Sequence, residues 1–118
     1  MLRRKDVLIA IANDATASDI GAVALLSGAN LAFATTPQRA LELARGTKFS
    51  GAVMCSKMAT IELCDVLRGS GCNMLVYSSQ SPDRWPPGCS GVAKPASAGE
   101  VVDALSFMIS RSEAASIP

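Results

Sequence analysis

Histidine does not occur anywhere in the 118 residues of this chain. Its absence removes the commonest general base, the commonest zinc ligand and every Ser-His or Cys-His nucleophile at once. Cysteine is present as Cys55, Cys64, Cys72 and Cys89, but without a C-x-x-C pair or metal-ligand spacing. Each thiol reads as a small buried hydrophobe in a reducing compartment. An excess of either charge is also missing: 11 Lys and Arg stand against 10 Asp and Glu. No global field therefore steers the chain to nucleic acid, to a membrane or to an acidic substrate. The basic cluster Arg3-Arg4-Lys5 is too short for a nucleic-acid arm and more simply solvates the start of the first strand. No apolar run approaches the ~20 residues of a spanning helix, and the run 8–12 is too short and too late for a secretory signal. These absences lead to the expectation of a soluble cytoplasmic protein with no metal, no cofactor and no nucleic-acid or membrane partner.

What is present is a globular pattern. Hydrophobic residues make up 49% and charged residues 18%, inside the range of folded domains. The length fits a single domain over 1–118, with 112–118 as a small polar tail. Apolar runs at 7–12, 31–34, 51–55, 74–78 and 91–93 read as strands, the first apolar throughout like a strand buried on both faces. Helical spacing recurs between most of them. Residues 17–26 carry Ile20, Val23, Ala24 and Leu26, with Ser27-Gly28 as a stop. Thr36-Pro37 opens a helix over 37–45, with Ala40, Leu41 and Ala44 on one face and Gly46 closing it. A third helix spans 60–68 and stops before Gly69. Ser97 and Glu100 have capping-box spacing ahead of a last helix over 98–110, whose Val101, Val102, Leu105, Met108 and Ile109 share a face. Repeated strand–helix alternation with short links predicts an α/β fold, doubly wound around a five-stranded parallel sheet. The expected core includes Val7, Ile9, Val53, Val76 and Val92 from the sheet.

Two segments break the regularity. Residues 79–88 contain Pro82, Pro86 and Pro87, so the helix due between the fourth and fifth strands is shortened or missing. Trp85 lies among those prolines, either as a cap over the sheet edge or as an anchor for a partner. Lys94-Pro95 ends the fifth strand, because Pro holds the preceding residue extended and stops the ladder. Lys94 is thereby presented at the carboxyl edge of the sheet, where ligands of open α/β sheets bind. Few carboxylates accompany it at the neighbouring strand ends.

In its order of pieces the chain resembles the receiver domains of bacterial two-component response regulators, from Asp6 to about Ile109. The stretch Phe49-Ser50-Gly51-Ala52-Val53-Met54-Cys55-Ser56-Lys57-Met58 is similar to the third receiver strand and its turn. Thr36-Pro37-Gln38-Arg39-Ala40-Leu41-Glu42-Leu43 looks like the second helix. Val76-Tyr77-Ser78-Ser79 resembles the fourth strand, and Ala93-Lys94-Pro95 matches the Lys-Pro step after the fifth. The resemblance implies a flavodoxin-like fold with strand order 2-1-3-4-5. It also implies a signalling role through protein partners or a second copy of the chain, contacts the family often makes through its fourth helix, fifth strand and fifth helix.

The departures bear on function. Receivers carry a phosphorylated aspartate at the end of strand three, where this chain has Cys55. They hold Mg²⁺ on an acidic pair after strand one, where this chain has Ile11, Ala12, Asn13 and Asp14. A thiol is a poor ligand for so hard a cation, and one carboxylate neutralises little of its charge. Asn13, Asp14, Cys55, Ser78 and Lys94 thus form a degenerate receiver site, and the chain is expected to be a pseudo-receiver, not an enzyme. Lys94 can pair with Asp14 in the space of a metal, and Ser78 can satisfy local backbone as a strand-end hydroxyl. The alternative is a redox sensor or small enzyme using Cys55, its thiol activated by the Lys94 ammonium. A phosphocysteine sugar-transport carrier is disfavoured because its cysteine should follow the first strand. An FMN-binding flavodoxin is disfavoured for want of a hydroxyl- and Gly-rich first turn.

Overall fold

The computed structural model describes residues 5–55, 58–78, 90–93 and 97–115. In chain order the elements are β1 (Asp6–Ala10), α1 (Asp14–Leu26), β2 (Asn30–Ala34), α2 (Pro37–Gly46) and β3 (Gly51–Cys55). They continue with α3 (Ile61–Gly69), β4 (Asn73–Ser78), β5 (Ser90–Ala93) and α4 (Ala98–Ala115). All strand pairs are parallel and the sheet order is β2-β1-β3-β4-β5. This is the expected flavodoxin-like order. The segment 79–89, with the expected helix replacement, Trp85 and Cys89, lies outside the described residues, as does Lys94.

Strand periodicity divides the core into two layers. Val7, Ile9, Val53 and Leu75 point to the side covered by α1 and α4, where they meet Ile20, Ala24, Val101, Val102, Leu105 and Ile109. Leu8, Ala10, Ala52, Met54, Met74 and Val76 point to the side of α2 and α3, against Ala40, Ala44, Leu63 and Leu67. Of the expected core, Val7, Ile9, Val53, Val76 and Leu105 have no solvent exposure and Val102 almost none. The side chain of Val92 lies outside the described set.

Local signals place the helix ends. Thr36 accepts a hydrogen bond from the Arg39 N–H at 3.2 Å, and Thr60 from the Leu63 N–H at 3.2 Å, so each caps its helix. The Ser97 hydroxyl accepts from the Glu100 N–H at 3.1 Å and lies 3.4 Å from the Glu100 carboxylate. Gly28 and Gly71 adopt positive φ, 93° and 79°, just beyond α1 and α3. There the Ala29 N–H reaches back to the Ala24 carbonyl and the Cys72 N–H to the Leu67 carbonyl, so both turns are of the Schellman type.

Three sequence expectations are corrected. Helix α3 includes Gly69, and the glycine that ends it is Gly71, because the left-handed position falls after the cap residue Ser70. Leu26 is exposed; Ala17, Ile20, Gly21 and Ala24 form the buried stripe, and Leu26 lies two residues, about 200°, beyond its last member. Helix α4 continues past Ser110 to Ala115, into the stretch read as a polar tail. No Gly or Pro interrupts it there, and Ala114-Ala115 favours helix.

Candidate site at the carboxyl edge of the sheet

The strand order reverses between β1 and β3: the chain leaves β1 outward to β2 and returns across β1 to β3. In a doubly wound sheet this switch point opens a crevice beyond the carboxyl ends of the strands. The residues after β1 and at the end of β3 form its walls. Ala10 is in register with Met54, so Ile11 and Cys55 follow side by side. Cys55 is in register with Tyr77, and Ser78 with Ala93. The fold therefore brings Asn13, Asp14, Cys55 and the backbone of Ser78 to one edge. Lys94 directly follows β5 in the chain.

Each wall has a structural reason. Ile11 is almost fully buried and belongs to the α1–α4 core layer, so this position presents hydrocarbon to the crevice. Ala12 is exposed. Asn13 is the cap of α1: its side-chain oxygen accepts from the Thr16 N–H at 3.0 Å. Asp14, exposed in the first turn, sits where the helix dipole favours a negative charge. Cys55 is half-buried and touches both core layers, and its carbonyl accepts from Met58 and Ala59 N–H groups at 3.0 and 3.2 Å. That turn drops Met58 into the core. Cys64 and Cys72 are buried, and desolvation pushes the Cys72 thiol up from 9.0 to about 12.

One feature of this edge was not legible in the sequence. A groove of about 250 Å³ runs between α1 and β2, lined by Ile9, Ile11, Asp14, Ala17, Ser18, Phe33, Ala34 and Thr35. Gly21 lets its Phe33 wall lie close against α1, since a Cβ there would approach the Phe33 Cζ to 2.6 Å. The signal was a glycine at a core-facing helix position, but its aromatic neighbour comes from another element. Among the described residues no group of three or more His, Cys, Asp or Glu side chains is placed to hold a metal, and no helix is long and apolar enough to cross a membrane.

This architecture is that of solved receiver domains. The chain is similar to a response regulator receiver protein from Sinorhizobium medicae WSM419, with TM-score 0.81 and 15% identity over 95% of this chain and 99% of that one. It is similar to the receiver domain of Francisella response regulator 1452, with TM-score 0.75 and 19% identity over 92% and 98%. A response regulator protein from Burkholderia pseudomallei, with a phosphorylated aspartic acid, calcium ion and citrate, matches at TM-score 0.70 and 20% identity over 94% of this chain and 72% of that one. No family model and no curated protein matches the sequence. At these identities the likeness is one of fold: a receiver-type, flavodoxin-like α/β domain.

Proposed function

We propose that this chain is a cytoplasmic signalling module that binds protein partners on a receiver scaffold without aspartyl phosphorylation, as a single domain over 1–118. The observation that carries this reading is the pairing at the switch point: buried Ile11 beside half-buried Cys55. Receiver chemistry calls for a carboxylate nucleophile and for carboxylates around a hard divalent cation. A buried isoleucine cannot ligate one, Ala12 has no donor, and Asn13 already spends its oxygen on the helix cap. Asp14 alone remains near the end of β1. The residues of this edge therefore do not fit Mg²⁺, and no phosphoryl step passes through it. Asn13, Asp14, Cys55, Ser78 and Lys94 are the remnant of a receiver site. The phosphorylated aspartic acid and calcium ion of the Burkholderia structure are the contrasting case.

Amide chemical-shift titration tests the reading. Acetyl phosphate or beryllofluoride with Mg²⁺ is expected to leave the spectrum unchanged. Saturable shifts clustered at Asp14, Cys55, Ser78 and Lys94 would overturn it.

A second reading is a thiol sensor at Cys55, favoured by one observation: Cys55 is half-buried while Cys64 and Cys72 are buried. A sensor also needs its thiolate stabilised by a nearby cation such as Lys94. In the interaction-module reading, iodoacetamide labels folded Cys55 no faster than an ordinary accessible thiol, and Lys94→Met leaves the rate unchanged. Faster labelling that Lys94→Met slows would replace the interaction module with a redox switch.

A further inference from the structure

The groove between α1 and β2 lies on the other side of β1 from Cys55 and Ser78. Three elements build it. Asp14, Ala17 and Ser18 stand at i, i+3 and i+4, so they share one face of α1. Ile9 and Ile11, two apart at the end of β1, turn to the same side of the sheet and line the groove with hydrocarbon. Phe33 is the β2 wall, 48% exposed although it adjoins buried Ile9 and Ile11. Of the residues that line the groove Asp14 alone is charged, and among the described residues it takes part in no ion pair. The positive end of the α1 dipole amounts to about half a charge, so the full negative charge of Asp14 outweighs it. The groove thus joins an apolar lining, an aromatic wall and one net negative charge.

We infer that this groove binds a small arylalkylammonium ion, its ammonium held by the Asp14 carboxylate and its ring packed against Phe33. Charge selects the sign of the ligand. An anion would meet Asp14 with no Lys or Arg in the lining to offset the repulsion. A hydrocarbon would strip water from the carboxylate and give it no partner. An ammonium supplies that partner through a charge-assisted hydrogen bond, and the hydroxyls of Ser18 and Thr35, on the same groove, accept its remaining N–H groups. The exposed ring selects the body, because offset or edge-to-face contact between rings adds to what apolar burial alone gives. Size sets the limit: about 250 Å³ exceeds the ~150 Å³ cavity that holds benzene, which leaves room for a ring and a short amine arm. So few atoms make a weak complex, with a dissociation constant on the order of 0.1–1 mM. The inference goes beyond the reading of the remnant site. It uses Asp14 but neither Cys55 nor the absence of phosphorylation, so either can fail alone.

Amide chemical-shift titration of the full chain with phenethylamine at neutral pH tests it. Saturable shifts centred on 9–18 and 33–35 are expected. Phenylpropionate, with the same ring and the opposite charge, should bind at least about tenfold more weakly, and so should the neutral phenethyl alcohol. Asp14→Asn keeps the side-chain shape without the charge. It should weaken phenethylamine by about tenfold and leave phenethyl alcohol unchanged, a split that a general loss of structure does not produce. Phe33→Leu keeps an apolar wall without the ring and should weaken phenethylamine by about threefold. Both positions are exposed, so thermal melts of the variants should stay close to the parent. The inference would be overturned by the absence of saturable shifts up to ~10 mM or by shifts centred elsewhere in the fold. The acid or the alcohol binding as tightly as the amine, or an amine affinity indifferent to Asp14→Asn, would overturn it equally.

Discussion

The two helical layers bury their inner faces alike and differ on their outer faces. Helices α2 and α3 are laced with charge: Arg39 pairs with Glu42 at 3.2 Å, Arg68 with Asp65 at 3.0 Å, and Arg45 of α2 reaches Glu62 of α3 at 3.3 Å. Helices α1 and α4 carry Leu25, Leu26 and Phe107, all more than half exposed. Their Asp14, Asp19, Glu100, Asp103 and Arg111 take part in no ion pair among the described residues. Ile61, exposed at the start of α3, is the exception on the charged side. A solvated layer satisfies its charges within itself, whereas the other leaves apolar surface outward together with charges that, among the described residues, have no ion-pair partner. The core is complete on both sides of the sheet, so the contrast between the layers is one of their outer surfaces alone.

The largest effects should show that the inner faces are equivalent. Leu63 under α3 and Leu105 under α4 have no solvent exposure. Leu63→Ala and Leu105→Ala should each lower the unfolding free energy by about 2–5 kcal/mol, from lost transfer and an unfilled cavity. Urea denaturation measures both. If either substitution costs under ~1 kcal/mol, that layer is not a packed core and the comparison of outer faces loses its basis.

A second effect separates the layers through Cys72, which belongs to the α2–α3 core. Burial raises this thiol from 9.0 to about 12, so the folded state holds its proton more tightly than the unfolded state does. The stabilisation is fully present below about pH 9 and is lost as pH rises towards 12. Within that window the slope approaches ~1.4 kcal/mol per pH unit. Cys72→Ala, compared with the parent by urea titration across the same range, should show a shallower alkaline decline. An unchanged slope would place the alkaline sensitivity in other groups.

Much of this fold was legible because parallel strands buried on both faces read as unbroken apolar runs, and because Thr36 and Ser97 sit where caps belong, whereas Thr60, read as the first residue of its helix, is instead its cap. Helix ends were less legible. Gly69 and Gly71 bracket Ser70, and only the backbone conformation shows which glycine takes the positive φ. The carboxyl edge was legible as a location, since alternation implies a parallel sheet and the resemblance to receivers supplies its strand order, but its side chains were not. Asn13 was singled out as a site remnant and serves as a helix cap, because an Asn before a helix reads equally well as either. The exposure of Phe107 and the groove beside Phe33 depend on what other elements cover, which no local pattern encodes.

That double reading of Asn13 gives the next effect in size. If its oxygen works for the helix, Asn13→Ala should destabilise by ~1 kcal/mol while Asn13→Ser stays near the parent. Equal loss in both variants would argue that the amide does something a hydroxyl cannot, and would return Asn13 to the site.

The smallest effect tests the charged layer itself. The Arg45 and Glu62 side chains remain more than 60% exposed, so water screens their attraction and the ordering of two long side chains opposes it. Arg45→Met should cost no more than ~1 kcal/mol, and the difference from the parent should shrink as salt is raised towards 1 M. A cost above ~2 kcal/mol that salt left unchanged would mean that water does not screen this pair, and the charged layer would then hold α2 to α3 instead of merely solvating their outer faces.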